Sequence, residues 1–80
     1  MNNINMNNIN KKPTYRLTGL GENLKAIRKA RDVSQYAFAE AAGMRETAYG
    51  HYESGRNLPR LENLVALANH WEFTFEEALR

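Results

Sequence analysis

Apolar residues recur at three- and four-residue spacing in several short segments between residues 20 and 79, as they do along one face of an α-helix. The first segment contains Leu20, Leu24 and Ile27, and basic residues occupy its other side. Asp32 is expected to end this helix, because aspartate tolerates the left-handed backbone conformation that closes many helices. The pattern therefore predicts a first amphipathic helix that begins at Leu20.

A second helix is predicted over residues 35–42, directly after Ser34. Serine is a favourable N-cap residue, since its hydroxyl accepts a hydrogen bond from a free backbone N–H of the first turn. Gly43 follows the segment and is expected to break the helix. The residues expected on its buried face are Phe38, Ala39 and Ala42.

A third helix is predicted over residues 46–54, where Tyr49 and Tyr52 have the spacing of an inward face. Gly55 is expected to end this helix, and Pro59 makes the following segment a loop. The third helix is short and polar, and the central Gly50 is expected on its outward face. Most of its side chains can form hydrogen bonds, which distinguishes it from a helix that serves only the core.

Two further helices complete the prediction. The fourth covers residues 61–70, and the fifth covers residues 75–79 after Thr74, which has its capping-box partner Glu77 three residues later. No segment alternates as a strand would, so the fold class is all-α with five helices. The residues expected to be buried by the fourth helix are Leu61, Leu64, Val65, Leu67 and Ala68.

The chain begins with MNNINMNNIN, a five-residue unit stated twice, which is too polar and aperiodic to build a core. Residues 1–18 are therefore expected to form a flexible arm, and residues 19–80 the folded domain. The arm is either an inert leader or a basic segment whose Lys11, Lys12 and Arg16 contact phosphates.

Composition narrows the function. The 80 residues contain no cysteine, which excludes thiol chemistry and disulfides, and no apolar run is long enough for a membrane span. The two histidines, His51 and His70, lie on different predicted helices, and neither is in a metal-ligand pattern. We therefore expect a cytoplasmic, non-enzymatic domain that has no catalytic residue, metal or cofactor and binds no small-molecule substrate.

The charge is unevenly distributed although the net charge is only +2. Residues 11–31 carry seven lysines and arginines against Glu22 alone, which favours a polyanionic partner. Residues 32–59 carry two basic residues against four acidic ones, which weakens the attraction to phosphates.

The second and third helices have the layout of a helix-turn-helix, whose second helix enters the major groove of DNA. Ala39 is small enough for the close crossing of the two helices, and Gly43 permits a positive φ in the turn. Three apolar or aromatic residues are placed to hold the recognition helix on the core, namely Met44, Tyr49 and Tyr52.

These features resemble the phage-repressor and Cro-like helix-turn-helix family, also called the XRE group. The resemblance extends from Leu20 to Leu79. The matching segments are LGENLKAIRKARDVSQ, Gln35-x-x-Phe38-Ala39, Gly43, Tyr52-Glu53-x-Gly55 and Pro59-x-Leu61-Glu62-x-Leu64. The chain departs from the family pattern at Tyr49, Trp71 and Glu72. The resemblance implies a compact lambda-repressor-like domain.

The resemblance also implies roles for individual residues. Arg28 is expected to form a structural ion pair with Glu53, and Gln35 to hold a phosphate at the N-terminus of the second helix. Arg56 and Asn57 are expected to form a second phosphate clamp. The base-reading positions are Arg45, Glu46, Thr47, Gly50 and His51. Arg45 stands where the family prefers a serine or threonine cap, so the helix loses a side-chain acceptor and gains a cation.

The leading interpretation is a sequence-specific regulator of transcription, of the phage or prophage repressor type, that binds double-stranded operator DNA as a homodimer. The dimer interface is predicted in the C-terminal segment, where Trp71, Phe73, Phe75 and Leu79 can cap the core, face a second copy or do both. The alternative is a protein-binding module on the same fold, such as a modulator of another repressor or an antitoxin-like partner. The acidic middle of the chain and its tyrosines favour this alternative.

Overall fold

A computed structural model describes residues 17–80, which contain five α-helices and no strand. The all-α, five-helix prediction is therefore confirmed. The predicted helix ends differ from the observed ones by no more than two residues, as is common at frayed termini. The helices are α1 (Leu20–Ala30), α2 (Gln35–Ala41), α3 (Glu46–Ser54), α4 (Leu61–Trp71) and α5 (Phe75–Ala78).

Local signals in the sequence set most of these boundaries. The hydroxyl of Ser34 accepts a hydrogen bond from the backbone N–H of Ala37, as an N-cap does. Thr74 and Glu77 form a reciprocal capping box at the start of α5. Gly55 ends α3 in the left-handed conformation, with a φ of 81°. Asp32 adopts the same conformation after α1, with a φ of 59°.

α1 packs against α3 at very close range. A Cβ atom at Gly21 would lie 2.5 Å from the backbone carbonyl oxygens of both Tyr52 and Glu53, so only glycine fits at this position. α1 also contacts the end of the chain, where the side-chain amide of Asn23 donates to the carbonyl of Ala78 at 2.8 Å. α1 is therefore the element against which both the recognition helix and the C-terminus are positioned.

The core lies between the five helices and is centred on the completely buried Leu24, Phe38, Tyr49 and Leu67. The indole of Trp71 stacks on the ring of Phe38 at 5.0 Å and donates its N–H to the carbonyl of Phe38 at 2.9 Å. Trp71 fits at the edge of the core because its ring packs on Phe38 while its N–H donates to a backbone carbonyl.

The predicted burial of α4 is wrong at two positions. Leu61 is 67% exposed and Val65 is 38% exposed, whereas Leu64, Leu67 and Ala68 are buried as predicted. Leu61 and Val65 lie one helical turn apart, at the edge of the apolar stripe. Periodicity identifies such a stripe, but how far it is covered depends on where the neighbouring helices end. Here the packed helices reach only one side of it.

The C-terminal aromatic residues serve the core of the chain itself. Phe73 is 5% exposed, so its side chain offers almost no surface to a second copy. The other three predicted interface residues pack against the core and are partly buried, namely Trp71, Phe75 and Leu79. The predicted arm residues Lys11, Lys12 and Arg16 lie outside the described residues, and the boundary at residues 18–19 stays a prediction.

Candidate nucleic-acid interface

α3 has one side in the core and one side free. Tyr49, Tyr52 and Glu53 are buried, and their three- and four-residue spacing places them on one face of the helix. Thr47 and His51 are one turn apart on the opposite side, because about 100° separates successive residues around a helix axis. The helix therefore presents a polar surface that is not required for packing.

An ion pair connects α3 to α1. Arg28 Nε donates to Glu53 Oε2 at 2.6 Å, and Arg28 Nη2 donates to Glu53 Oε1 at 3.2 Å. The remaining terminal nitrogen, Nη1, donates to the carbonyl of Val33 at 2.8 Å. The two side chains are only 11% and 5% exposed. This two-point contact fixes the orientation of α3 as well as its distance from α1.

Gln35 is a third member of this cluster. Its side-chain amide donates to Glu53 Oε1 at 3.0 Å, so it faces the ion pair from the first turn of α2. Burial opposes the charge on Glu53, but the hydrogen bonds from Arg28 and Gln35 outweigh burial and hold the pKa of Glu53 below its usual value. The hydrogen bond to Glu53 likewise raises the pKa of Arg28.

The hydroxyl of Tyr49 is buried beside the ion pair and has no hydrogen-bond partner among the described residues. Burial raises the pKa of Tyr49, and the negative charge of Glu53 raises it further. The phenol therefore stays neutral and occupies space where a smaller apolar side chain would leave a void. A buried hydroxyl without a partner is unfavourable, so the tyrosine does not bring its full packing energy to the core.

The predicted base-reading residues do not all occupy equivalent positions. Arg45, Glu46 and Thr47 are exposed at the N-terminal end of α3, and His51 is half-buried one turn further on. Arg45 occupies the N-cap position, and its exposed guanidinium, which has no acceptor atom, cannot cap the helix. Gly50 is half-buried, and a Cβ added there would lie 3.7 Å from Gln35 Oε1. Gly50 thus lies at the edge of the outward face, beside the first turn of α2.

The loop after α3 folds back onto the end of the helix. The backbone N–H groups of Arg56 and Asn57 both donate to the carbonyl of His51, at 2.9 and 3.2 Å. The side-chain amide of Asn57 lies 3.5 Å from His51 Nδ1. A proton donated to Nδ1 requires the neutral ring to carry its own hydrogen on Nε2, which would then be the donor available to a partner. The loop thus places a predicted phosphate-binding residue directly beside a predicted base-reading one.

The structure brings residues to this surface that the sequence analysis did not single out. Lys25 of α1 and Ser54 of α3 line a shallow cavity of about 240 Å³ together with Gln35 and Gly50. Lys25 and Arg28 are three residues apart and lie on the same side of α1. Because Arg28 was expected to pair with Glu53 of α3, the sequence could have predicted that Lys25 also lies near α3. Lys25 adds a positive charge to this surface, and Glu22, which lines the same cavity, adds a negative one.

Tyr36 and Glu40 form a second exposed pair, on α2. The hydroxyl of Tyr36 donates to Glu40 Oε2 at 2.6 Å, and this hydrogen bond raises the pKa of Tyr36. The charge of Glu46 on α3 contributes in the same direction. The spacing of four residues between Tyr36 and Glu40 on one helix predicts their contact. Its position next to the recognition helix depends on how α2 crosses α3, which the sequence pattern does not specify.

The described part of the chain shows neither a metal-binding cluster nor a helix suited to cross a membrane. Residues 17–80 contain no group of three or more histidine, aspartate or glutamate side chains placed to hold a metal ion. Within the same range, no helix combines the length and the hydropathy that a membrane span requires.

Comparison with known proteins agrees with this geometry. A helix-turn-helix family model matches residues 24–75. The chain is 41% identical over 56 residues to the cryptic phage CTXphi transcriptional repressor RstR of Vibrio cholerae serotype O1 (strain ATCC 39315 / El Tor Inaba N16961). That alignment covers 70% of this chain and 50% of the relative, so the chain spans about half the length of that curated protein.

A solved structure of the P22 c2 repressor protein, in complex with synthetic operator 9T, superimposes with a TM-score of 0.71 and 28% sequence identity. The match covers 76% of this chain and 92% of the repressor chain. The arrangement of five helices is therefore that of the lambda-repressor-like fold. Taken with the matched family model, these findings show that the chain belongs to the helix-turn-helix family of the phage-repressor (XRE) type.

Proposed function

We propose that this protein is a sequence-specific double-stranded DNA-binding regulator of transcription, of the phage repressor or Cro type. Two relatives support the proposal, since one is named as a transcriptional repressor and the other was solved on a synthetic operator. Such a regulator acts in the cytoplasm on operator DNA and needs neither a cofactor nor a small-molecule substrate. The fold and family are those of DNA-binding regulators rather than of enzymes.

The observation that carries the proposal is the outward face of α3, which is polar, exposed and held in place by the buried pair of Arg28 and Glu53. Side chains on this face have the chemistry that base edges require. Glu46 accepts from cytosine N4, and Thr47 contacts a base edge or a thymine methyl group. His51 donates to guanine or to a phosphate.

Residues around α3 provide the contacts that set the position of the protein on the duplex. Arg45 at the N-cap and Arg56 in the following loop are exposed cations at opposite ends of the helix. Asn57 and the first turn of α2, with Gln35, offer neutral donors to phosphate oxygens. One amide hydrogen of Gln35 serves Glu53, which leaves the second for such a contact. Lys11, Lys12 and Arg16 of the N-terminal arm are proposed to add contacts along the backbone or in a groove.

The functional unit is proposed to be a homodimer. A nine-residue recognition helix reads only a few base pairs, so one copy gives little discrimination between sites. Two copies related by a two-fold axis read two half-sites about 34–36 Å apart. An inverted repeat is therefore the expected form of the operator.

Two measurements test the proposal. Titration of the protein into a labelled duplex of random sequence, at low and at moderate salt, is expected to show binding that weakens steeply as the salt rises. Selection of bound duplexes from a random pool is then expected to enrich one sequence. Arg56→Gln is the matched probe of a phosphate contact, and it should lower the affinity for all sequences about equally. Absence of binding at low salt, with no sequence enriched, would contradict the proposal.

A protein-binding module on the same fold is the second candidate. Tyr36, Glu40 and Glu46 favour it, because two carboxylates beside the outward face of α3 repel phosphates and an exposed tyrosine suits a protein interface. The partner would be another repressor or an antitoxin-type complex. The salt titration separates the two candidates, since this module would not bind the random duplex even at low salt.

A further inference from the structure

The loop that follows α3 is attached to the helix at one carbonyl group, that of His51. The backbone N–H groups of Arg56 and Asn57 donate to this oxygen at 2.9 and 3.2 Å, and the hydroxyl of Ser54 donates to it at 3.2 Å. The same hydroxyl accepts from the N–H of Arg56 at 3.4 Å. The backbone of Asn57 is therefore held in one place relative to His51, at the end of the recognition helix.

The side chains of these two residues meet as well. The amide nitrogen of Asn57 lies 3.5 Å from His51 Nδ1. Within the described residues this is the one polar contact of the imidazole ring, which takes part in no salt bridge there. An amide nitrogen only donates, so Nδ1 must be the acceptor. The neutral ring then carries its hydrogen on Nε2, the nitrogen that is left for a partner.

This tautomer decides what His51 can recognise on DNA. Nε2 becomes a hydrogen-bond donor, and the bases differ in what they offer to a donor. In the major groove guanine presents two acceptors, O6 and N7, whereas cytosine presents the N4 amino group, which is itself a donor. A ring with the opposite tautomer would present an acceptor at Nε2 and would have the reverse preference.

We propose that Asn57 is a positioning residue for base recognition, because it fixes the tautomer of His51 and thereby makes the ring select guanine over cytosine at the base pair that it contacts. This inference rests on the proposed DNA-binding function, in which His51 reads a base. It gives Asn57 a role beyond its proposed phosphate contact, since one amide hydrogen serves Nδ1 and the second remains for a phosphate oxygen.

The tautomer is measured on the free protein, without DNA. In the ¹⁵N-labelled full chain, the protonated and the unprotonated nitrogen of a neutral imidazole give well-separated NMR signals, and the spectra are recorded at about pH 9, where histidine is neutral. Wild-type His51 is expected to carry its hydrogen on Nε2 alone. Asn57→Ala removes the donor, so the ring exchanges between tautomers and the two signals move towards each other. Asn57→Asp offers an acceptor instead, so the hydrogen moves to Nδ1 and the two signals exchange their assignment.

Two controls accompany these variants. His70 on α4 is the second histidine of the chain, and its signals should not change. Asn69→Asp makes the same substitution at an exposed position beside His70, where adjacent residues of a helix do not face each other. It should leave both rings as in wild type. Thermal unfolding followed by circular dichroism checks the fold of each variant.

Binding to DNA is measured at the same pH, because a ring with both hydrogens donates from Nε2 whatever its partner at Nδ1. Selection from a random duplex pool by wild type and by His51→Ala identifies the base pair that His51 contacts. At that position, the ratio of the affinity for guanine to that for cytosine should fall about fivefold or more in Asn57→Asp, as expected for the loss of one hydrogen bond. The ratio removes the general repulsion between the new carboxylate and the phosphates. Asn69→Asp should keep the wild-type ratio.

The outcomes separate this inference from the proposed function. If wild-type His51 carries its hydrogen on Nδ1, or if Asn57→Ala and Asn57→Asp leave its signals unchanged, the inference is overturned without consequence for DNA binding. It is also overturned if wild type prefers cytosine at that position, if His51→Ala weakens binding to all duplexes equally, or if Asn57→Asp reverses the tautomer without changing the ratio. If wild type binds no duplex even at low salt, the proposed function is overturned and the inference falls with it.

Discussion

Arg28 of α1 and Glu53 of α3 are joined by two hydrogen bonds, one of 2.6 Å and one of 3.2 Å, in a part of the molecule where both side chains are nearly inaccessible. Their 25-residue separation makes this contact a long-range constraint on the fold. Because the pair occupies the last turns of both helices, it determines the angle at which the outward face of α3 is presented.

Removal of one partner is expected to destabilise the protein strongly. Arg28→Met leaves the carboxylate of Glu53 buried without its cation, which costs about 3–5 kcal/mol in comparable buried pairs. Urea unfolding followed by circular dichroism measures the change. The double variant Arg28→Met/Glu53→Met removes both charges and should recover a large part of that loss. Equal losses in the single and double variants would mean that burial of the unpaired charge is not the cause.

Stability should fall in acid because of Glu53. Its pKa in the folded protein is lowered below the ordinary value of 4.5, so protonation favours the unfolded state. The stabilisation is complete above pH 4.5 and is lost as the pH falls through the folded pKa. The pKa of Glu77 is lowered too, through the backbone N–H of Thr74, and this residue contributes in the same direction.

Urea unfolding of wild type, Glu53→Gln and Glu77→Gln between pH 7 and pH 3 tests this. The free energy of unfolding of Glu53→Gln should depend less on pH than that of wild type, although it is lower at neutral pH. Glu77→Gln is the control, since its carboxylate is exposed and a smaller loss of slope is expected. If the free energies of unfolding of wild type and Glu53→Gln depended on pH in the same way, Glu53 would not be the cause of the loss of stability in acid.

Features of this fold that depend on neighbouring residues in the sequence are predictable from it, and features that depend on distant contacts are not. The caps at Ser34 and Thr74 and the end of α3 at Gly55 depend on local signals, and the sequence predicted all three. The exposure of Leu61 and the inward position of Gln35 depend on which elements reach a given surface, and helical periodicity carries no such information. The family resemblance provided the Arg28–Glu53 pair, which spacing alone does not predict.

The role of Gly21 also depends on a contact between residues that are distant in the sequence. Its role is to let two helices approach, and nothing near it in the sequence indicates a partner 31 residues away. Gly50 lies within the continuous helix α3, and a Cβ added there would meet only the side chain of Gln35, at 3.7 Å. The two glycines therefore differ in a way that only the packing of α1 against α3 defines.

Alanine at these two glycines should have opposite effects on stability. Gly21→Ala places a methyl group against two carbonyl oxygens and should destabilise the protein by about 1–3 kcal/mol or more, as overpacking does. Gly50→Ala meets only the flexible side chain of Gln35 at an ordinary contact distance. It should stabilise α3 by up to about 1 kcal/mol through helix propensity. Chemical unfolding of the two variants beside wild type gives both values, and a tolerated Gly21→Ala would contradict the close approach of the helices.

Removal of the Tyr49 hydroxyl should not harm the fold. The oxygen is buried without a partner, so Tyr49→Phe keeps the ring packing against Phe38 and removes an unsatisfied polar group. We expect a free energy of unfolding equal to that of wild type or higher by about 1 kcal/mol. Tyr52→Phe is the matched control, because the hydroxyl of Tyr52 accepts a hydrogen bond from Asn63 at 2.9 Å and its loss should be destabilising. Destabilisation of Tyr49→Phe by more than its control would show that the hydroxyl does have a partner.

Thr47→Ala and His51→Ala should change which DNA sequences are selected while leaving the fold intact. Thr47 is exposed and His51 half-buried on the side of α3 opposite Tyr49 and Tyr52, so neither supports the core. Loss of a base contact typically costs about 1–3 kcal/mol at the affected base pair and relaxes the preference there.

Selection from a random pool by each variant locates the affected positions, and melting temperatures report on the fold. His70→Ala replaces an exposed histidine of α4, away from α3, and should select the wild-type sequence. Unfolding of either α3 variant would mean that the face has been assigned wrongly. An unchanged selected sequence in a folded Thr47→Ala and His51→Ala would instead leave discrimination to Arg45 and Glu46, at the N-terminal end of the helix.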